Sequence, residues 1–166
     1  AFGGLGEEPQ PSSEHFENAL INQLARIPDD SQPIWLENES RGIGRVFMPE
    51  QLYQALRHAP LWQLEVPIGI RTTHLVEGYG RYSLLELRTA FDNIRKRLGG
   101  QHYQAAIAAL ENANFAEAAR IALVYYDKAY AYGLEQREGS QLGTVQVQSA
   151  DARVIAQQVL HAVFGS

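Results

Sequence analysis

Three short segments with strand-like patterns, set among long stretches of helical periodicity, constrain the fold of this chain most strongly. Residues 33–37 consist of an apolar run that ends in Glu37, residues 61–66 are mainly apolar, and residues 144–148 alternate apolar and polar side chains. Short apolar runs are typical of buried strands, and strands separated by helices favour parallel pairing. The sequence therefore predicts an α/β fold with a parallel sheet of about three strands.

Helical periodicity dominates the region between the second and third predicted strands. Apolar residues recur at helical spacing from Leu84 to Leu98, and a helix from Ile68 precedes them. With two further helices, predicted at 101–111 and 114–132, these form a helical block. We interpret residues of about 68–132 as a large helical insertion in the sheet. Ser13 and Ser149 are predicted to cap two other helices, and Pro49 is predicted to open a third.

Composition excludes several classes of site. The chain has 166 residues, no cysteine and a formal net charge of −5. It therefore has no disulfide framework, no thiol nucleophile and no thiolate metal site, and its five histidines lack ligand spacing. No apolar run approaches the ~20 residues of a membrane span. We expect a cytoplasmic protein with no membrane partner and no bound metal, whose contact with nucleic acid would need a local basic patch.

Charged and polar side chains follow the first predicted strand. They are Glu37, Glu39, Ser40, Arg41 and Arg45. Open α/β sheets bind ligands at the carboxyl ends of their strands, so this cluster is the first candidate site. Arginine binds phosphate bidentately, and carboxylates hold magnesium or position water. Arg71, after the second strand, can also reach a phosphate group. The alternative is a solvated loop with internal ion pairs, and a surface role for Arg71.

A second candidate is a ridge of basic residues along one helix. Arg81, Arg88 and Arg95 recur every seven residues, and Lys96 and Arg97 lie beside the last. A nucleic-acid backbone can lie against such a ridge. The alternative is a hydrated flank whose aliphatic stems cover the edge of the core.

Four tyrosines form a third candidate, at positions 125, 126, 130 and 132. Aromatic side chains stack on RNA bases. Helical spacing, however, predicts that Tyr125 and Tyr132 pack in the core and leaves both roles open for Tyr126 and Tyr130.

Several motifs carry a family resemblance. They are AFGGLG at residues 1–6, PQP at 9–11, FEN at 16–18, IWLENESR at 34–41, IGR at 43–45, LEVP at 64–67, IRKRLGG at 94–100 and YYD at 125–127. In this order they resemble the carboxyl-terminal part of bacterial tRNA 2-selenouridine synthase. The final strand and helix are similar to the closing unit of many P-loop kinases, which is a weaker signal.

The resemblance implies a transferase that acts on tRNA. The complete enzymes join a rhodanese-like domain, which holds the catalytic cysteine, to a P-loop domain. They convert wobble 2-thiouridine to 2-selenouridine with selenophosphate through a geranylated intermediate, so selenophosphate and geranyl diphosphate are substrates of the complete enzyme.

This chain has no cysteine, no rhodanese region and no Walker A loop of the G-x-x-x-x-G-K-[ST] type. The resemblance therefore implies that residues 1–166 are the carboxyl-terminal part of a P-loop-NTPase-like α/β domain, with an incomplete parallel sheet. We expect no catalytic residue in it and no activity from the isolated chain.

The resemblance also implies roles for the candidate residues. Glu37 and Glu39 would lie beside the phosphate loop at a Walker-B-like position, and the nearby arginines, with Arg71, would bind a diphosphate or the tRNA backbone. The basic ridge would face tRNA. The alternative function is a non-catalytic, α-rich module that binds RNA or a partner protein.

Overall fold

The computed structural model describes residues 2–28, 33–137 and 139–165. After a short 3₁₀ turn at Phe2–Gly4, the helices are α1 (Ser13–Leu24), α2 (Glu50–His58), α3 (Ile68–Tyr79), α4 (Leu84–Leu98), α5 (Gly100–Glu111), α6 (Phe115–Glu135) and α7 (Ala152–Phe164). The strands are β1 (Gly42–Ile43), β2 (Val46–Phe47), β3 (Leu61–Glu65) and β4 (Gln141–Gln146). The predicted α/β class is confirmed.

Two of the three predicted strands pair in parallel, as expected. Strand β3 lies beside β4 with Leu64 opposite Val145, and helices α3 to α6 separate the two in sequence. The ladder extends past β4, because the Val147 amide donates to the Glu65 carbonyl at 2.9 Å. Val145 and Val147 are buried. Their burial anchors this pair to the rest of the protein.

The predicted strand at residues 33–37 does not form, so the prediction of about three parallel strands is wrong for the described residues. Residues 33–40 are irregular, and the side chains of Ile34, Trp35 and Leu36 are 52%, 50% and 48% exposed. A strand needs a neighbouring edge to satisfy its backbone groups, and no described strand pairs with this segment. An apolar run in the sequence indicates that the side chains tend to be buried, but it does not show that a neighbouring strand is available for pairing. The chain instead enters a short antiparallel hairpin, β1–β2.

The hydrophobic core is helical and lies among α4, α5 and α6. Helix α4 buries Leu87, Phe91, Ile94 and Leu98, which confirms the predicted stripe except at Leu84, which is 47% exposed. Tyr103, Ala106 and Ile107 of α5 and Ala118, Ile121 and Ala122 of α6 pack against them. Burying side chains of this kind stabilises a fold by roughly 1.5–3 kcal/mol each. The helical block is therefore the best-packed part of the molecule.

Capping residues define the ends of several helices. Ser83 and Glu86 form a capping box at the start of α4, and Asn114 caps α6 as its sequence position predicts. Asp151, not Ser149, caps α7, because the Asp151 side chain accepts a hydrogen bond from the Arg153 amide, whereas the Ser149 hydroxyl accepts one from the Asp151 amide before the helix begins. Ser12, not Ser13, caps α1, since its side chain accepts from the His15 amide. Within the described ranges, no helix combines the length and the apolar character needed to cross a membrane.

The amino-terminal segment is held against the helical core. Phe2 packs edge-to-face on Phe91 at 5.0 Å and on Tyr79 at 5.9 Å between ring centroids. The Tyr82 hydroxyl donates to the Leu5 carbonyl at 2.8 Å. These contacts place the following residues, 7–11, beside α6.

Candidate functional site

A cleft of about 1590 Å³ separates α6 from the amino-terminal part of the chain. Its amino-terminal wall comprises Gly4, residues 7–11, 37–40 and 42–45, and two residues of α2, Tyr53 and Arg57. Its other wall is a face of α6, formed by Tyr125, Tyr126, Ala129, Tyr130, Tyr132, Gly133 and Gln136. We refer to this space as the cleft. Four residues of the predicted cluster line it: Glu37, Glu39, Ser40 and Arg45.

Gln10 joins the two segments of the amino-terminal wall. Its Nε2 donates to the Ile43 carbonyl at 2.8 Å, and its Oε1 accepts from the Arg45 amide at 2.7 Å. Gly44 lies between these two residues at φ +65°, and a Cβ there would overlap the Gln10 amide. Both the positive φ and the close approach require glycine. The turn between β1 and β2 therefore positions Arg45 on the cleft wall.

A local turn brings the two carboxylates to the same wall. The Glu39 amide donates to the Glu37 carbonyl at 2.8 Å, and the Ser40 hydroxyl donates to the Gly42 carbonyl at 2.8 Å. Tyr130 on α6 interacts electrostatically with these carboxylates. Burial raises the pKa of Tyr130, and the negative charges of Glu39 and Glu37 raise it further. Its hydroxyl therefore remains protonated and able to donate a hydrogen bond at neutral pH.

The two arginines of the cluster have different surroundings. Arg45 lines the cleft, and its guanidinium forms no ion pair with a described residue. The Arg41 guanidinium lies 2.9 Å from the Glu50 carboxylate, and both side chains are about half exposed. Arg41 is not among the residues that line the cleft. The structure therefore brings Arg45, but not Arg41, to the shared cavity.

The sequence analysis did not identify two further arginines here: Arg57, which lines the cleft, and Arg137, which lies near Arg57 but is not among the lining residues. Arg57 lines the cleft and donates to the Gly133 carbonyl at 3.1 Å. Arg137 donates to Asn38 Oδ1 at 2.8 Å and also to the Ala59 carbonyl. Burial and the positive charge of Arg57 lower the pKa of Arg137. No sequence spacing could indicate this pair, because it depends on how α2 packs against the end of α6.

A second, apolar cavity of about 460 Å³ adjoins the cleft. Tyr126 and Tyr130 line both spaces. The other lining residues are mainly apolar and include Phe2, Leu75, Val76, Tyr79, Leu87, Phe91, Leu110, Phe115, Ala119 and Leu123. Arg71 also lines this cavity, with its guanidinium 2.5 Å from the Asp127 carboxylate. Of the predicted site residues, Arg71 thus lies at the apolar cavity, and the cluster residues other than Arg41 lie at the cleft.

Four residues of the basic ridge, Arg88, Arg95, Lys96 and Arg97, lie exposed along α4, whereas Arg81 precedes this helix, so the predicted ridge along one helix is wrong for Arg81. Arg88 pairs with Glu111 at 3.1 Å, and the Arg95 guanidinium lies 4.8 Å from the centre of the Tyr103 ring. Arg97 donates to the Tyr125 hydroxyl at 3.2 Å, and the Arg81 guanidinium lies over the Tyr82 ring at 5.1 Å. Lys96 is exposed. The ridge is an accessible basic surface, partly engaged in local contacts.

Of the two tyrosines of α6 that were predicted to pack in the core, only Tyr125 does so. Tyr125 is partly buried and packs on the core, whereas Tyr132 is 65% exposed, so the core role predicted for Tyr132 is wrong. The buried residues of α6 are confined to Ala118, Ile121, Ala122 and Leu123. The later turns of this long helix have no comparable burial, although the helical spacing of the sequence continues through them.

Comparison with known proteins identifies related sequences. The family described as "tRNA 2-selenouridine synthase AAA domain" matches residues 1–86. A tRNA 2-selenouridine synthase from Hahella chejuensis is 35% identical over 82% of this chain and 44% of its own length. That from Ectopseudomonas mendocina is 32% identical over 78% and 43%, and that from Nitrosomonas europaea is 27% identical over 82% and 47%.

The chain thus spans less than half the length of the curated relatives it matches. No solved structure matches it. Because the family match covers more than half of the chain, and because full-length relatives of one name align along most of the remainder, this chain belongs to the tRNA 2-selenouridine synthase family.

Proposed function

We propose that this chain is the part of a tRNA-modifying transferase that binds geranyl diphosphate and tRNA. The complete enzyme would convert wobble 2-thiouridine to 2-selenouridine with selenophosphate through a geranylated intermediate. The observation that carries this proposal is the junction of a charged cleft with an apolar cavity at Tyr126 and Tyr130. An allylic diphosphate has the same division, with an anionic head and an apolar tail.

The apolar cavity suits the tail. Its volume of about 460 Å³ lies within the usual range for small-molecule sites, roughly 300–1,000 Å³. Aliphatic and aromatic side chains form most of its lining. Burying each CH₂ of a prenyl chain contributes about 0.8 kcal/mol. The tail would therefore supply most of the affinity, without needing directional contacts.

The arginines of the cleft suit the head. Arg45 and Arg57 line it, and neither forms an ion pair within the part of the chain that the structure describes. Arginine binds phosphate oxygens through two parallel hydrogen bonds. Carboxylates repel a diphosphate, so Glu37 and Glu39 would not contact it. We propose instead that they accept hydrogen bonds from donor groups of the substrate or from a water molecule. Arg71 would meet the ligand between head and tail.

The remaining assignments follow the family. We propose that the basic ridge of α4 contacts the tRNA backbone, since it is an exposed group of cations on a chain of net charge −5. We also propose that the chain is the carboxyl-terminal part of a P-loop-like domain, with residues of about 68–132 as a helical insertion. The catalytic cysteine and the phosphate loop would then belong to the rest of the complete enzyme.

Two arginines four residues apart provide the test. In the full-length protein, Arg45→Ala should weaken geranyl diphosphate binding about 10- to 100-fold, because it removes a charge-assisted contact. Arg41→Ala is the matched control and should change the affinity less than threefold, since Arg41 pairs with Glu50 outside the cleft. Isothermal titration calorimetry measures both.

Equal effects of the two substitutions would remove the assignment of Arg45. Unchanged diphosphate affinity in Arg45→Ala and Arg57→Ala, together with intact tRNA binding, would favour the alternative of a non-catalytic RNA-binding module.

A further inference from the structure

The face of α6 that lines the cleft exposes two aromatic rings. Tyr130 is 54% exposed and Tyr132 is 65% exposed, and both line the cleft. Within the described ranges, neither ring packs against another aromatic ring. Two tyrosines in a concave site, each more than half exposed, offer planar apolar surface to a ligand.

Small residues lie between these tyrosines on the helix surface. At 3.6 residues per turn, Ala129 and Gly133 occupy the middle of the cleft face, and Tyr132 and Tyr130 occupy its two flanks. A Cβ added at Gly133 would meet no atom within 4 Å. The helix therefore presents a shallow floor with an aromatic ring on each side, wide enough for a planar group to approach the backbone.

The cleft around this face of α6 contains both carboxylates and arginines. Glu37 and Glu39 lie on the facing wall, close enough to raise the pKa of Tyr130, and Arg45 and Arg57 line the same cleft. Carboxylates repel phosphate groups but accept hydrogen bonds from the N–H groups of bases. Arginines bind the phosphates. A cleft with rings, acids and separate arginines thus matches a nucleotide, whose base is neutral and whose phosphate is anionic.

We propose that Ala129, Tyr130, Tyr132 and Gly133, the tyrosine face of α6, stack an unpaired base of RNA. Single-stranded RNA is commonly bound in this way, because every base has a π face that an aromatic ring can cover. The inference rests on the proposed function, since the RNA concerned is then the tRNA substrate. It adds a base-binding surface to the backbone contacts assigned to α4.

The test uses two probes that differ only in their bases. A short oligouridine and an abasic RNA of equal length carry the same phosphates, and each is titrated into the full-length protein over a range of salt concentrations. Tyr130→Ala and Tyr132→Ala should each weaken oligouridine binding about tenfold or more, without changing the slope of affinity against salt. Tyr130→Phe and Tyr132→Phe should retain the affinity, and abasic RNA should bind all variants equally.

Gly133→Ala tests the floor of the site. The added methyl group should weaken oligouridine binding while leaving the thermal unfolding temperature unchanged or higher, because it fits the free protein and favours a helix. Gly78→Ala is the matched control, since Gly78 is helical, has the same open space and lines neither cavity.

Alanine variants that bind oligouridine as tightly as the wild type would overturn the inference. An equal loss of affinity for abasic RNA would do the same, because it would indicate a backbone contact. Either result, with tRNA conversion and the Arg45 dependence intact, would leave the proposed function standing. A wild-type protein that binds neither tRNA nor oligouridine would remove both.

Discussion

Single residues of the amino-terminal wall determine where the charged groups of the cleft lie. Gln10 satisfies two backbone groups of the β1–β2 turn at once, one on either side of Gly44. This arrangement couples a segment without regular structure to a two-residue turn far along the chain. Arg45 is positioned by its own backbone amide in this contact, while its side chain remains available to a ligand.

Gly44→Ala should destabilise this wall. The left-handed φ costs an L-residue about 1–2 kcal/mol, and loss of the Gln10 contacts adds to that cost. We expect the free energy of unfolding in urea to fall by about 1–3 kcal/mol, with weaker geranyl diphosphate binding. Gly69→Ala in α3, where a Cβ meets nothing within 4 Å, is the control and should be neutral or stabilising. Equal stability of the two variants would show that the turn does not need glycine.

Among the secondary-structure elements, helix α4 combines core packing with an exposed basic surface. Its apolar stripe is buried, Arg88, Arg95 and Arg97 flank that stripe, and Lys96 lies opposite it. Arg88 and Arg95 already have local partners, so Lys96 is the cleaner probe of nucleic-acid contact. A surface ion pair is worth only about 0.2–1 kcal/mol, and such local contacts would not prevent an arginine from turning towards phosphate.

Lys96→Glu should weaken tRNA binding and flatten its salt dependence by about 0.7–0.9 in the slope of log K against log salt, which is the value expected for one lost phosphate contact. Arg153→Glu on α7 makes the same change in net charge away from α4 and is the control. Filter binding over a salt series measures both. If the two variants behave alike, the effect is due to net charge and the ridge is an ordinary surface.

At the scale of the whole molecule, the two cavities are joined by one helix. Helix α6 lines the apolar cavity with residues between Phe115 and Tyr130, and it lines the cleft with residues between Tyr125 and Gly133. Tyr126 and Tyr130 lie at the junction. For a ligand that spans the junction, the volume of the apolar cavity would limit the size of one end, and the charges of the cleft would select the chemistry of the other.

Ala119→Leu should shorten the tail that the apolar cavity accepts. The larger side chain fills part of the space, so the affinity for geranyl diphosphate should fall about tenfold or more, while dimethylallyl diphosphate, with half the chain length, should bind as before. Ala116→Leu on the exposed surface of α6 is the control. Calorimetric titration of both diphosphates tests this. A parallel loss for the two ligands would indicate general overpacking.

The sequence predicted some parts of this protein well. The stripe from Leu84 to Leu98 specified α4, and the runs at 61–66 and 144–148 located the paired strands β3 and β4 within a few residues. The cluster around Glu37 also reached a shared cavity, although for a reason other than the predicted one. It lies along an irregular segment and a hairpin, not at the carboxyl end of a strand.

Local sequence therefore determined the helices and the Asn114 cap of α6, because each depends on residues within a few turns of one another. Tertiary structure alone decided that residues 33–37 would lack a strand partner, that Arg57 would join Arg45, and that Tyr132 would face the cleft. These outcomes depend on which surfaces meet across long separations in sequence. Periodicity shows that a side chain can be buried, but only packing decides what covers it.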